Sequence, residues 1–291
     1  MAKLFVASTY SDLPTMVPDV VEYVYMDGSV VREPIIGIGG TGIVVRREKH
    51  AVKLPQLAII IESGGVPVEP RSLTPEEGDY DERAALSRII ETEKAIYRRL
   101  GDHPGVIKCY NAFSNDCSIE MPLMDGDLRR YVEELDEEEE KRMTRELQLS
   151  WLKKLAHTMA YIHSKRVLIA DFRLANVLYD HHTMDVKYVD FSESSLMPLD
   201  WDLEGCDTGG YSIQTDIGQF GAAMFYLITR QHCAFDIYEE WKDVGDPTTW
   251  PRRENLPSTS GIWLGSIIER CWTKGFASSE HLAAALDEQS T

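Results

Sequence analysis

Two hydrophobic patterns divide this chain of 291 residues. Up to about Met121, apolar residues come in short β-branched runs broken by glycine, proline and aspartate, which is how strands and tight turns are written. Val20–Val31 surrounds Asp27-Gly28 and reads as a hairpin. Pro34–Ile38 leads into Gly37-Ile38-Gly39-Gly40-Thr41-Gly42. Ile43-Val44-Val45 and Ala51-Val52-Lys53-Leu54 flank the polar run Arg46–Lys49 and read as strand, turn, strand. Gly64, Gly65, Pro67, Pro70 and Pro75 mark a loop. One helix is predicted over Asp81–Leu100, where Leu86, Ile89, Ile90, Ile96, Tyr97 and Leu100 recur at helical spacing. Cys109–Met121 reads as two more short strands.

Beyond Met121 the period changes. Leu149, Leu152, Leu155, Ala156, Met159 and Ile162 form one apolar helical stripe ending near His163. Asp216–Thr229 predicts a second, strongly apolar helix and Trp263–Trp272 a third. Met124–Asp127 is the natural linker between the halves, and the acidic run Asp136–Glu140 reads as a solvated face. No repeat recurs. The expectation is a single α+β domain over 1–291, with a β-rich lobe over 1–121 and a mainly helical lobe over 122–291.

Composition narrows the function. Hydrophobic residues at 43% suit a globular core, and a formal net charge of −18 disfavours nucleic acid and anionic membranes as partners. No apolar run is long enough to span a bilayer. The five cysteines are scattered without a Cys-x-x-Cys pair, so neither a zinc site nor a disulfide framework is suggested. The expected setting is cytoplasmic or otherwise soluble inside the cell.

Candidate chemistry lies in a few motifs. Gly37-x-Gly39-x-x-Gly42 by itself also fits dinucleotide-binding folds, but those need a helix after the glycines, and here β-branched strand residues follow. No Gly-Lys-Ser/Thr follows either, which removes the P-loop. Downstream stand Asp171, Asn176 and, after an apolar run, Asp190. An aspartate that orients a hydroxyl, with an asparagine and a second aspartate that hold magnesium, can form a phosphoryl-transfer site.

In that order, on those elements, the chain resembles the eukaryotic-type protein kinase superfamily over roughly Ile36 to Trp272. It looks like the small divergent Ser/Thr protein kinases of filamentous fungi. The resemblance implies a bilobal protein kinase-like fold that uses ATP and Mg2+ to phosphorylate a protein substrate. Gly37, Gly39 and Gly42 would cover the nucleotide, with Val44, Ala51, Lys53 and Leu178 among the binding positions. Val44 would pack on adenine and Leu178 form its floor. Lys53 would contact the α- and β-phosphates and pair with Glu93, Glu91 being the fallback. Asp171 takes the catalytic aspartate's place, and Arg173 replaces the lysine on the transferred phosphoryl group. Asn176 and Asp190 would hold the metal. Asp216, in Thr215–Gly221, would bond the catalytic-loop backbone, and Cys271-Trp272 resembles a pair near the family's C-terminus.

The chain also departs from the pattern. Ala170 stands where an arginine normally receives an activation-loop phosphate, and Ser192 follows Asp190-Phe191 where glycine is usual. The Ala-Pro-Glu signature is missing, as is the arginine that pairs with its glutamate. The separation of Lys53 from Glu93 is longer than the family usually shows, and the excess falls in the loop Pro55–Tyr80. Two alternatives follow from these departures. One is a pseudokinase that binds nucleotide or partners without turnover; the other is a small-molecule kinase.

Overall fold

The computed structural model describes residues 20–61, 81–237 and 250–290. Strands β1 (Val20–Tyr23), β2 (Ile35–Ile38), β3 (Gly42–Arg47), β4 (His50–Pro55) and β5 (Ala58–Ile61) precede helix α1 (Glu82–Leu100), and β6 (Ile119–Pro122) follows it. β2, β3, β4 and β6 lie side by side in one antiparallel sheet, while β1 and β5 form a separate ribbon. Strand alternation sorts the side chains. Ile43, Val45, Val52 and Leu54 close a small core against Tyr23, Tyr25 and Val31. Val44 and Ala51 turn instead to the main core. Val44 stands directly opposite Lys53 in the β3–β4 register, so both share that second face.

Helix α1 starts at Asp81, whose side chain accepts the Ala84 N–H at 2.9 Å. Its buried face carries Ile90, Ile96, Tyr97 and Leu100, but also Glu93 and Lys94. Buried charges need partners. Lys94 finds them in the carbonyl of Asp116 at 2.6 Å and its carboxylate at 2.5 Å, which ties α1 to the turn before β6.

The second lobe holds β7 (Gly126–Asp127), α2 (Leu128–Glu133), α3 (Glu137–Arg142), α4 (Arg145–Ser164), β8 (Val167–Leu168), β9 (Val177–Asp180), β10 (Asp185–Tyr188), β11 (Ser195–Leu196), α5 (Ile213–Thr229), α6 (Gly265–Trp272) and α7 (Ser279–Asp287). β10, β9 and β7 make a small sheet, and β11 pairs with β8. α3 has no buried residue, and Asp136 caps it through the Glu138 and Glu139 N–H groups. α5 is buried along almost its whole length and forms the axis of this lobe. Gly218 makes that possible: a Cβ there would meet the Phe235 ring at 2.1 Å.

Two sequence expectations need correction. The hairpin at Asp27-Gly28 forms, with Tyr25 N donating to Ser29 O at 2.8 Å, Val31 N donating to Tyr23 O at 2.9 Å and Val24 bridged to Val30, but β1 also builds a ladder with β5 on its other side. The run Ala58–Ile61 gives a four-residue register, and it lies within the stretch read as loop. The rest of that stretch, 62–80, falls outside the described residues. In 109–121 only β6 is a strand. Before it, the Asn111 amide accepts the Glu120 N–H at 2.8 Å and donates to the Ser118 carbonyl at 3.0 Å, so side-chain bonds replace a second ladder. No helix among the described residues is long and apolar enough to cross a membrane.

Candidate active site

Strand alternation turns Lys53 inward, where only 5% of it is exposed. Its Nζ donates to Glu93 Oε2 at 2.7 Å and to Asp190 Oδ1 at 2.7 Å. Glu93 is fully buried, and its other oxygen accepts the Phe191 N–H at 3.0 Å. The two lobes are thereby linked through one ammonium. Glu91, the fallback partner, is instead exposed and paired with Arg98 at 2.5 Å. Burial works against the Lys53 charge, yet Glu93 and Asp190 outweigh it and hold its pKa above the lysine range. Burial raises Glu93, with Lys53 opposing. It acts to raise Asp190 as well, but Lys53 and Ser192 overcome it and leave that carboxyl below its usual value. Asp190 is therefore ionised at neutral pH.

Asp190 has a left-handed backbone, φ 63°. Aspartate tolerates this conformation because its short side chain can bond locally. Here Oδ1 accepts the Ser192 hydroxyl at 2.8 Å and its N–H at 3.3 Å. Ser192 is thus not the residue that needs glycine's freedom; it caps the aspartate that does.

The segment Ile169–Asn176 presents Asp171. Asn176 Nδ2 donates to the Asp171 carbonyl at 2.9 Å and to its Oδ2 at 3.0 Å. Arg173 Nε approaches the same carboxylate at 3.0 Å from the exposed side. Ala170 is held at φ 64°, which costs an alanine roughly 1–2 kcal/mol. Asp216 of α5 supports it, accepting the N–H groups of Ile169 and Ala170 at 2.8 Å each. His163 Nε2 lies 2.8 Å from Oδ2 of the same carboxylate, and its Nδ1 meets Ser279 Oγ at 2.8 Å. Phe172 is anchored by stacking on Phe220, centroids 5.1 Å apart.

The glycine-rich turn joins β2 to β3. Gly42 is the position where close approach demands glycine, since a Cβ would lie 2.9 Å from Leu54 O and 3.0 Å from Lys53 Cε. A side chain there would displace the lysine. Gly37 has ordinary room beside Val44, and Gly39 is only snug. With its amide nitrogen turned to the loop, Gln56 donates to the carbonyls of Gly39 at 2.8 Å and Gly40 at 2.9 Å. Val44 and Leu178 pack half-buried on the core that contains Ala51. These residues offer what a magnesium–nucleotide needs: a loop of small residues, a buried ammonium and an ionised carboxylate, with the Asn176 carbonyl accepting the N–H of Val189, the residue before that carboxylate, at 3.0 Å. Among the described residues no trio of His, Cys, Asp or Glu side chains forms a standing metal site. A metal carried on phosphates needs only one or two protein oxygens.

Gln56, His163 and Gln219 belong to this network without having been singled out in the sequence. Gln219 lies in Thr215–Gly221, one helical turn after Asp216, and that spacing is the signal that puts both on one face. A cavity of about 360 Å3 opens beside Asp171 and Arg173, walled by Phe172, Tyr211, Gln219 and Tyr226 among others.

Residues 76–211 match the protein kinase domain family. The tyrosine-protein kinase receptor svh-2 of Caenorhabditis elegans is 26% identical over 160 residues, covering 48% of this chain and 14% of the receptor. The chain therefore spans a small part of that relative's length. A β-rich lobe and a helical lobe joined through Lys53 define a protein kinase fold. Over the part of the chain that they cover, these matches support the eukaryotic-type protein kinase superfamily. Such a domain supports phosphoryl transfer to proteins in general, with ATP and Mg2+ as its usual requirements.

Proposed function

We propose that this chain transfers the terminal phosphoryl group of ATP to a Ser or Thr hydroxyl of a protein. The observation that carries the proposal is the three-way contact of Lys53, Glu93 and Asp190, with Asp171 separately anchored by Asn176. A binding-only scaffold has no need of both. Lys53 neutralises phosphate charge while Glu93 and the β3–β4 register keep it aimed. Asp190, through the oxygen not used by Lys53 and Ser192, and Asn176, through its amide oxygen, would hold Mg2+, which supplies charge neutralisation on the phosphates. Asp171 orients the attacking hydroxyl and accepts its proton. Arg173, on the exposed side of Asp171, would turn to the transferred group. Positioning and electrostatics carry the rate.

A second reading of the acceptor, a tyrosine phenol, draws on the cavity beside Asp171, whose aromatic walls could hold a ring, and on the name of the receptor relative. Incubating the protein with labelled ATP, Mg2+ and a mixed protein substrate, followed by phosphoamino-acid analysis, separates the readings. Label in phosphoserine and phosphothreonine supports the first, and label in phosphotyrosine replaces it with the second. No label, together with no Mg-ATP-induced rise in melting temperature, would refute the enzyme and its nucleotide site. Saturation at about a hundred times Kd should stabilise the fold by about 2.7 kcal/mol.

A further inference from the structure

Asp171 sits between two peptide groups, and both are held by one side chain. The carbonyl of Ala170 accepts from Gln219 Nε2 at 2.7 Å, and the N–H of Phe172 donates to Gln219 Oε1 at 2.9 Å. The first bond fixes the peptide plane entering Asp171, and the second fixes the plane leaving it. Those two planes set the φ and ψ of Asp171, and with them the direction in which its carboxylate projects. Within this segment the Asp216 carboxylate accepts from the N–H groups of Ile169 and Ala170, upstream of both planes.

We propose that Gln219 is a positioning residue for phosphoryl transfer: its amide brackets Asp171 and aims the carboxylate into the adjoining cavity. The proposal rests on the kinase reading above. The residue types fit. A primary amide offers a donor and an acceptor on separate atoms at the end of one side chain, without adding charge beside a carboxylate. Its place on α5, the most buried helix of the lobe, gives the bracket a rigid base. Asp171 also has a neighbour in Arg173, which binds its carboxylate from the exposed side. A backbone held from beneath keeps the aspartate in place when that cation moves away.

The bracket does not touch the nucleotide residues. Lys53, Glu93 and Asp190 form their own bonded group. Loss of Gln219 should therefore separate kcat from nucleotide binding. In Gln219→Met, which keeps volume and loses both bonds, kcat per folded molecule should fall about tenfold to a hundredfold, the scale of a small misplacement. KM for ATP and the Kd of Mg-ATP should stay within about twofold, because ground-state binding is untouched. Gln219→Glu keeps an acceptor for the Phe172 N–H but loses the donor to Ala170, and should fall in between.

Calorimetric Mg-ATP stoichiometry counts the folded molecules, so instability cannot imitate the effect. Unchanged kcat per folded molecule in Gln219→Met, or an equal rise in KM for ATP, would overturn the proposal. If Gln219→Met does not fold, the same two criteria apply to Gln219→Glu. If wild-type protein shows no turnover at all, the kinase reading fails independently. The bracket is then judged by hydrogen exchange at the Phe172 amide, which should be faster in the variant. Equal protection in both proteins would reject it.

Discussion

Lys53 in β4 and Glu93 in α1 meet at 2.7 Å in a place where neither is open to water, at 5% and 0% exposure. The contact joins sheet to helix, and its second oxygen reaches the Phe191 backbone. Removing the carboxylate would strand that N–H and leave Lys53 with Asp190 alone. Glu93→Ala should therefore lower stability by about 3 kcal/mol, the low end for breaking a buried pair, because one partner survives. Urea unfolding measures this; a loss below about 1 kcal/mol, the range of exposed pairs, would show that the contact is solvated in solution.

The proposed roles of the two aspartates separate binding from chemistry. Asp171→Asn should reduce turnover by about a hundredfold or more, since proton transfer by a positioned base is worth that much, with Mg-ATP affinity nearly intact. Asp190→Asn should weaken the magnesium-dependent part of nucleotide binding. Calorimetry with and without Mg2+, beside single-turnover assays, reads both. Equal residual turnover in wild type and Asp171→Asn would favour a scaffold without catalysis.

Activity should not depend on phosphorylation between Asp190 and Thr215. Ala170 offers no guanidinium. The arginines touching this segment are engaged with carbonyls, Arg99 at Met197 O (3.2 Å) and Arg166 at Trp201 O (2.8 Å). Ser194 is buried and donates to Ile169 O at 2.8 Å, while Ser195 bonds Asp207. Phosphatase treatment should leave the rate unchanged, and Thr208→Ala should be neutral. Ser194→Ala should cost about 1 kcal/mol through its lost hydrogen bond, without changing the response to phosphatase. A large phosphatase-induced loss, restored by rephosphorylation, would mean that one of these arginines changes partner.

The cysteines should differ in reactivity. Burial pushes the thiols of Cys109 and Cys233 up to about 11, and that of Cys271 further still. Cys206 is exposed. Iodoacetamide followed by mass spectrometry should label Cys206 at least about tenfold faster than Cys233, because the thiolate is the reactive form. Cys233 lines the cavity beside Asp171, so equal rates would indicate that this wall opens readily.

Much of the architecture could be read from periodicity. The Asp81 cap, the apolar faces of α1 and α4, the buried length of α5 and the β3–β4 hairpin are all local patterns in consecutive residues. Alternation even places Val44 and Lys53 on one face once the hairpin is assumed. The misreadings have one source. The β1–β5 ladder joins distant segments, and the side-chain bonds of Asn111 replace a strand whose apolar pattern looked sufficient.

By itself, then, the sequence determined the element types, the order of its charged motifs and the choice of Glu93 or Glu91 as candidates for Lys53. The first two follow from short-range periodicity and spacing, and the candidate glutamates from the family resemblance. The tertiary structure decided which glutamate meets the lysine: Glu93 lies on the buried face of α1, while Glu91 points to solvent and Arg98. It also decided that Ala170 and Asp190 bear left-handed backbones, and that Gln219 closes on both sides of Asp171. No local pattern encodes these, because each depends on which atoms of a remote element arrive within hydrogen-bond reach, about 3 Å, after the core has packed.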